Sequence, residues 1–163
     1  MSSYVNELTD FRTMDSKRLG YVIKKLLLMP EDELKNDLSF AARKIKEEEF
    51  GNKVYVSGLV AFSSHCVNTC TYCGLRANNT SIPRYRLLPG DVKNVIDGFK
   101  ESGLSRVFLV SGEDRGYSLD HIIEMVTYAK SIGLRVSLGI GVYPEKTLKQ
   151  LLDAGTDTIT LKF

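Results

Sequence analysis

Gly103-Leu-Ser-Arg-Val-Phe-Leu-Val-Ser-Gly-Glu-Asp-Arg-Gly-Tyr-Ser-Leu-Asp-His-Ile-Ile-Glu-Met-Val-Thr-Tyr-Ala-Lys-Ser-Ile-Gly-Leu-Arg-Val-Ser-Leu-Gly139 carries one full period of the pattern that decides the fold. Arg106-Val-Phe-Leu-Val110 is β-branched, aromatic and apolar, and reads as a buried strand. Leu119, Ile122, Ile123, Val126 and Ala129 then recur at helical spacing, with Ser118 in position to cap the helix and Gly133 to stop it. Arg135-Val-Ser-Leu-Gly139 is the next strand. The same unit extends both ways. Upstream, Val92, Val95, Ile96 and Phe99 form a helical stripe that stops at Gly103. Downstream, Tyr143-Pro144 starts a helix carrying Leu148, Leu151 and Leu152, which stops at Gly155 before a strand at Thr158-Ile-Thr-Leu161. Each stopping glycine is expected in the left-handed conformation. Val54-Tyr-Val-Ser-Gly-Leu-Val-Ala-Phe62 supplies the first strand. Alternation of this kind requires a parallel sheet with right-handed crossovers, so the fold class is α/β with about four parallel strands.

Before the first strand the pattern is purely helical. Leu19, Val22, Ile23, Leu26 and Leu27 mark one amphipathic helix. Pro30 breaks it, and Glu31, Asp32 and Glu33 suit the start of a second. That helix carries Leu34, Leu38, Ala41, Ala42 and Ile45 and stops at Gly51. The expected organisation is a helical extension over residues 1–52 and a partial (β/α) TIM-like barrel over residues 53–163. A chain ending on an uncovered strand predicts a barrel cut short at about half, with a standalone four-stranded unit as the alternative. The exposed edges of such a half barrel predict poor solubility.

Composition narrows the function classes. The chain has 163 residues, enough for a real core, and 22 basic against 20 acidic residues, for a net charge of +2. That balance argues for neither nucleic acid nor an anionic membrane as partner. No apolar run is long enough to span a bilayer, and Met1-Ser-Ser-Tyr-Val-Asn-Glu-Leu8 lacks the apolar core of a secretion signal. A cytoplasmic location is expected.

The three cysteines of the chain sit together in His65-Cys-Val-Asn-Thr-Cys-Thr-Tyr-Cys-Gly-Leu-Arg76. An odd, tightly spaced set is no disulfide framework and points to metal or redox chemistry in a reducing compartment. Cys66, Cys70 and Cys73 are spaced C-x-x-x-C-x-x-C. Three thiolates can hold three irons of a four-iron cluster and leave the fourth iron open to a ligand. The loop follows the first strand directly, at the C-terminal ends of the strands, where parallel barrels carry function. No Asp or Glu lies between Ser63 and Arg86, whereas Arg76, Arg84 and Arg86 do, a balance that favours thiolates. Gly74 lets the backbone approach a bound cluster. A structural zinc held by the cysteines and His65 is the competing reading, although adjacent residues rarely both ligate one tetrahedral ion. Inert thiols are a third. Arg84-Tyr85-Arg86 reads either as a solvated turn or as a segment packed over the cysteine loop.

This motif resembles the radical S-adenosylmethionine (SAM) superfamily, and the resemblance covers about residue 15 to the end. Tyr72 stands where the superfamily usually has an aromatic residue whose backbone lies near the adenine. Tyr72-Cys-Gly-Leu-Arg-Ala-Asn-Asn-Thr-Ser-Ile-Pro-Arg-Tyr-Arg-Leu87 is similar to the FeFe-hydrogenase maturase (HydE) type, grouped with biotin synthase and methylornithine synthase. Ser111-Gly112-Glu113-Asp114 matches that group's form of the motif that receives the SAM amino end, and Ser137-Leu138-Gly139 also matches. Lys162 stands where the maturase tends to have arginine, and Ile140 follows Gly139 where that group commonly has a glutamate nearby; both departures bear on the substrate.

The resemblance implies a radical SAM barrel, a 4Fe-4S cluster on Cys66, Cys70 and Cys73, and SAM held by Tyr72, Gly112, Glu113 and Ser137. It further implies reductive cleavage of SAM to methionine and a 5′-deoxyadenosyl radical that acts on a small-molecule substrate. An electron donor such as ferredoxin or flavodoxin would supply the electron. Two alternatives stand beside it. One is biotin synthase-type sulfur insertion, which uses a second cluster with ligands on later strands. The other is a non-catalytic iron–sulfur module, for which ferredoxins normally provide a fourth cysteine that this chain lacks.

Overall fold

A computed structural model describes residues 3–162. The chain divides after Val54 into two compact units. The first is helical: α1 (Ser3–Thr9), a 3-10 turn (Phe11–Thr13), α2 (Ser16–Leu27) and α3 (Glu31–Phe50). Asp15 caps α2, its carboxylate accepting from the Lys17 and Arg18 amides at 2.9 Å. Val5, Val22, Leu26 and Ala41 form the core of this unit. The helical stripe read from the sequence is therefore narrower in fact. Val22 and Leu26 are buried, but Leu27 is 75% exposed and Ile23 is largely exposed. The reason is α1, which packs on α2 and α3 and covers only one side of the stripe. At seven residues, α1 is too short to show a periodic pattern.

The second unit is a four-stranded parallel sheet in the order β1 (Gly58–Ser63), β2 (Arg106–Ser111), β3 (Arg135–Gly139), β4 (Thr158–Ile159). Helices α4 (Pro89–Glu101), α5 (Leu119–Ser131) and α6 (Glu145–Asp153) connect the strands. Val60, Phe62, Val107, Leu109, Val136 and Leu138 alternate along the strands and share one core with Val92, Ile96, Met125 and Leu151 of the helices. All three helices thus cover the same face. Phe62 is fully buried there, a burial that contributes roughly 1.5–3 kcal/mol. The other face presents Leu59, Ala61, Phe108 and Val110 to a cavity. Gly103, Gly133 and Gly155 end the three helices with φ of 77°, 82° and 110°, as expected for left-handed caps.

Three local expectations change. The first strand begins at Gly58 rather than Val54, and Val54, Tyr55 and Val56 are exposed. Its partner β2 starts at Arg106, with Gly58 opposite Val107, so Val54–Val56 lie beyond its start and have no ladder to join. The last strand spans only Thr158–Ile159, opposite Ser137 and Leu138, with one more bond from the Thr160 amide to the Leu138 carbonyl at 2.8 Å. Ser118 occupies the cap position of α5, but its hydroxyl makes no capping bond.

Candidate functional site

The chain leaves β1 at Ser63 and returns beside it at Tyr85–Leu87. The Ser64 amide donates to the Tyr85 carbonyl at 3.1 Å and the Leu87 amide to the Phe62 carbonyl at 2.8 Å. The cysteine loop is therefore pinned at both ends. Inside it, a turn brings the Cys73 amide to the Cys70 carbonyl at 3.2 Å, and the Ala77 amide reaches across to the Asn68 carbonyl at 2.7 Å. Cys66 and Cys73 are half-buried and Cys70 is exposed, all as free thiols.

Arg84-Tyr85-Arg86 belongs to this loop rather than to a solvated turn. The Arg84 guanidinium donates to the carbonyls of Leu75 (2.9 Å), Arg76 (2.7 Å) and Asn79 (3.0 Å), and to that of Ser64. The Tyr85 hydroxyl donates to the Ala61 carbonyl at 3.0 Å. Arg86 grips Asp114 with two bonds of 2.7 and 2.8 Å. None of the three arginines makes a described hydrogen bond to a thiol. Their hydrogen bonds go to carbonyls and to Asp114, Arg76 using the Cys73 carbonyl at 3.1 Å.

The loop after β2 completes the site. The Gly112 amide donates to the Ser63 carbonyl, and the Glu113 carbonyl accepts from the Val67 amide at 3.0 Å. The Glu113 amide then points at Cys66 Sγ, 3.3 Å away, and the Asn68 amide at the same sulfur at 3.5 Å. Gly112 is required for this approach: a Cβ there would lie 2.2 Å from the His65 carbonyl oxygen and 2.7 Å from Cys66 Cβ. The Glu113 carboxylate accepts from the Val142 amide (3.0 Å), from Asn68 Nδ2 (3.2 Å) and from Arg115. The bond from Val142 does most to hold its carboxyl below the ordinary range, against the opposing effect of burial. Asp114, 3% exposed, is held down to about 2, first by Arg86, then by the Ser63 hydroxyl at 2.6 Å and the Gly116 amide at 3.0 Å.

These loops enclose a cavity of about 380 Å³ over the C-terminal ends of the strands. Cys66, Cys70, Cys73, Tyr72, Gly112 and Glu113 line it together. Tyr72 stands at its rim, 81% exposed. Ser137 is not brought there. It lies opposite Phe108 on β3, one pleat before Gly139, and Gly139, Gly141 and Val142 line the cavity instead. Lys162 and Thr160 line the side beyond β4. Sequence reasoning missed Asn68, Ser63 and Gly141, and quoted Asp114 only as part of a motif without its bond to Arg86. A Cβ on Gly141, whose φ is 92°, would lie 2.7 Å from the Glu113 side chain. Its one legible signal is a second glycine two residues after Gly139.

Among the described residues no three His, Cys, Asp or Glu side chains converge to hold a single metal ion. Three thiols, a loop free of carboxylates and two amides directed at Cys66 Sγ are a donor set that fits an iron–sulfur cluster. The cavity is also of the size that takes a small-molecule cofactor, about 300–1,000 Å³.

A cysteine loop at the strand ends of a parallel α/β sheet stands where barrel enzymes carry their sites. Residues 60–163 match the Radical SAM superfamily, and the chain belongs to it. It is 30% identical over 141 residues to the FeFe-hydrogenase maturase subunit HydE of Thermotoga maritima, covering 86% of this chain and 40% of the relative. It is 30% identical over 142 residues to 3-methylornithine synthase of Methanosarcina acetivorans, covering 85% and 40%. The crystal structure of methylornithine synthase (PylB) superposes with a TM-score of 0.83 at 26% identity, over 98% of this chain and 47% of that one. The sheet is thus a partial radical SAM barrel, and the chain spans about 40% of the length of the curated relatives it matches. The superfamily implies a 4Fe-4S cluster and SAM as cofactors. Among the described residues no helix is long and apolar enough to cross a membrane.

Proposed function

We propose that this chain binds a 4Fe-4S cluster through Cys66, Cys70 and Cys73 and holds SAM against its open iron. Tyr72, Gly112 and Glu113 are the cofactor-side residues, and the chain works in radical SAM catalysis in a reducing, cytoplasmic setting. When bound, this pair of cofactors supplies one-electron cleavage of the sulfonium to methionine and a 5′-deoxyadenosyl radical. The remaining work falls to the protein. The Glu113 amide and the Asn68 amide donate to Cys66 Sγ and so orient that ligand and tune the cluster. The Glu113 carboxylate keeps lone pairs beyond its three protein bonds, and these can accept from a ligand ammonium. Phe108 and Val110 give the cavity an apolar floor. We place Ser137 outside the SAM contacts and assign the β3 side to Gly139, Gly141 and Val142.

The observation that carries this reading is the shared wall: three thiols and the Gly112-Glu113 backbone line one cavity, joined by the amide bond to Cys66 Sγ. For the reaction, maturase-type chemistry on a small molecule is favoured by the stretch from Tyr72 to Leu87. A methylornithine synthase-type reaction is the second reading, favoured by the TM-score of 0.83 to that enzyme. A ferredoxin- or flavodoxin-type donor would supply the electron.

Anaerobic reconstitution with iron and sulfide, followed by electron paramagnetic resonance with and without SAM, tests the proposal. A reduced four-iron signal that shifts on adding SAM is expected. A signal indifferent to SAM would reduce the chain to a cluster binder. Zinc in place of iron would overturn the reading.

A further inference from the structure

The loop between Ser63 and Tyr85 is long, carries every cysteine and has no regular secondary structure, yet its carbonyls are not left to water. A single side chain gathers four of them. Two Nη1 bonds reach the Ser64 and Leu75 carbonyls, and two Nη2 bonds reach Arg76 and Asn79. These acceptors bracket the cysteines: Ser64 lies before Cys66, while Leu75, Arg76 and Asn79 follow Cys73. Only a forked guanidinium has enough rigidly spaced donors to serve four acceptors at once. No described carboxylate lies within ion-pair distance of Arg84. It also lines a second cavity, of about 340 Å³, together with Cys66 and His65.

We propose that Arg84 is the positioning residue of the cysteine loop: by holding the Ser64, Leu75, Arg76 and Asn79 carbonyls it fixes the relative placement of Cys66, Cys70 and Cys73 before any cluster arrives, and it leaves an uncompensated positive charge beside Cys66. The proposal rests on the cluster reading above for its consequence, but its structural half stands on the apo chain. A site whose ligands are held in advance loses less order on binding and releases its metal group more slowly.

The test compares the full-length chain with Arg84→Lys, which keeps the charge and loses the fork, and Arg84→Gln, which loses both. Hydrogen–deuterium exchange on the apo proteins should show faster exchange over residues 64–79 in both variants, with α4, α5 and α6 unchanged. On reconstituted protein, cluster loss to a chelator should accelerate about 10–100-fold in both, the range seen when outer-sphere partners of a metal site are removed. The midpoint potential should stay near wild type in Arg84→Lys and move negative in Arg84→Gln, because the second variant alone removes a positive charge that favours the reduced, more anionic cluster. Wild-type exchange and cluster retention in Arg84→Lys would overturn the proposal. So would faster exchange across the whole sheet unit, which would make Arg84 a general fold element. A wild-type chain that takes up no cluster would instead sink the cluster reading, and the apo exchange would still decide whether Arg84 positions the loop.

Discussion

Replacing Asp114 by Asn should cost about 2 kcal/mol at neutral pH and remove the part of the sheet unit's acid sensitivity that this carboxylate carries. Asp114 is the joint between three segments: Arg86 on the returning arm of the cysteine loop, Ser63 at the end of β1, and the Gly116 amide in its own loop. Its carboxyl is held at about 2 against an ordinary 3.8, which corresponds to about 2 kcal/mol of folded-state preference for the charged form. Because the folded value lies below the unfolded one, this contribution is complete above about pH 4 and fades as pH falls toward 2. Breaking a wholly buried pair costs roughly 3–5 kcal/mol, but the Arg86 side chain is 41% exposed and regains water when its partner is neutralised, so the lower figure applies. The asparagine oxygen can still accept one bond, whereas its amide group faces the Arg86 donors. Urea melts at pH 7 should show the loss directly, and the melting temperature should fall by roughly 4–8 °C. Repeated between pH 7 and pH 2.5, the gap between variant and wild type should close as wild type loses its advantage. A variant with wild-type stability at pH 7, or a gap that persists unchanged at pH 2.5, would refute the assignment of that energy to the Asp114 carboxylate.

Two further substitutions test the close approaches. Gly112→Ala places a Cβ 2.2 Å from the His65 carbonyl oxygen, so the cysteine loop must shift away from the β2 loop; the iron content of the reconstituted protein should fall sharply while the circular dichroism of the sheet unit is retained. Gly58→Ala drives a Cβ to within 2.2 Å of the Phe99 ring and should destabilise by about 1–3 kcal/mol, with a substantial part recovered in the double variant carrying Phe99→Leu, as read by chemical denaturation.

The sheet was legible in the sequence because its signals are local. A β-branched run, a helical stripe and a stopping glycine recur, and each is written within a dozen residues. The strand ends were not, since Val54–Val56 are as apolar as a strand but lie beyond the reach of β2, a fact of register between segments almost fifty residues apart. The cysteine motif was visible for the same reason the sheet was: all three cysteines lie within eight positions. What joins them to the cavity was not visible. Asn68 and Val142 meet at Glu113 from separate loops, and Ser63, Arg86 and Asp114 meet from three. Ser137 lies on β3 opposite Phe108, whereas Gly139, Gly141 and Val142 line the β3 side of the cavity, and no local pattern marks those three.

The arginines of the site fall into two kinds, and the difference explains why the loop carries no carboxylate. Arg86 is matched by Asp114 of the next loop and ties the two loops together, while Arg115 is matched by Glu113 within that next loop. Arg84 and Arg76 are matched by carbonyl oxygens. Carbonyl dipoles stabilise a guanidinium without cancelling its net charge, so the field around the cysteines stays positive. A single Asp or Glu between Ser63 and Arg86 would compete for either guanidinium, because a charge-assisted bond to carboxylate is stronger than one to a neutral carbonyl. It would release the carbonyls that Arg84 gathers and remove the positive field together. The acids that the site does use arrive from β2, where each already has its own arginine, and so reach the cavity wall without that cost.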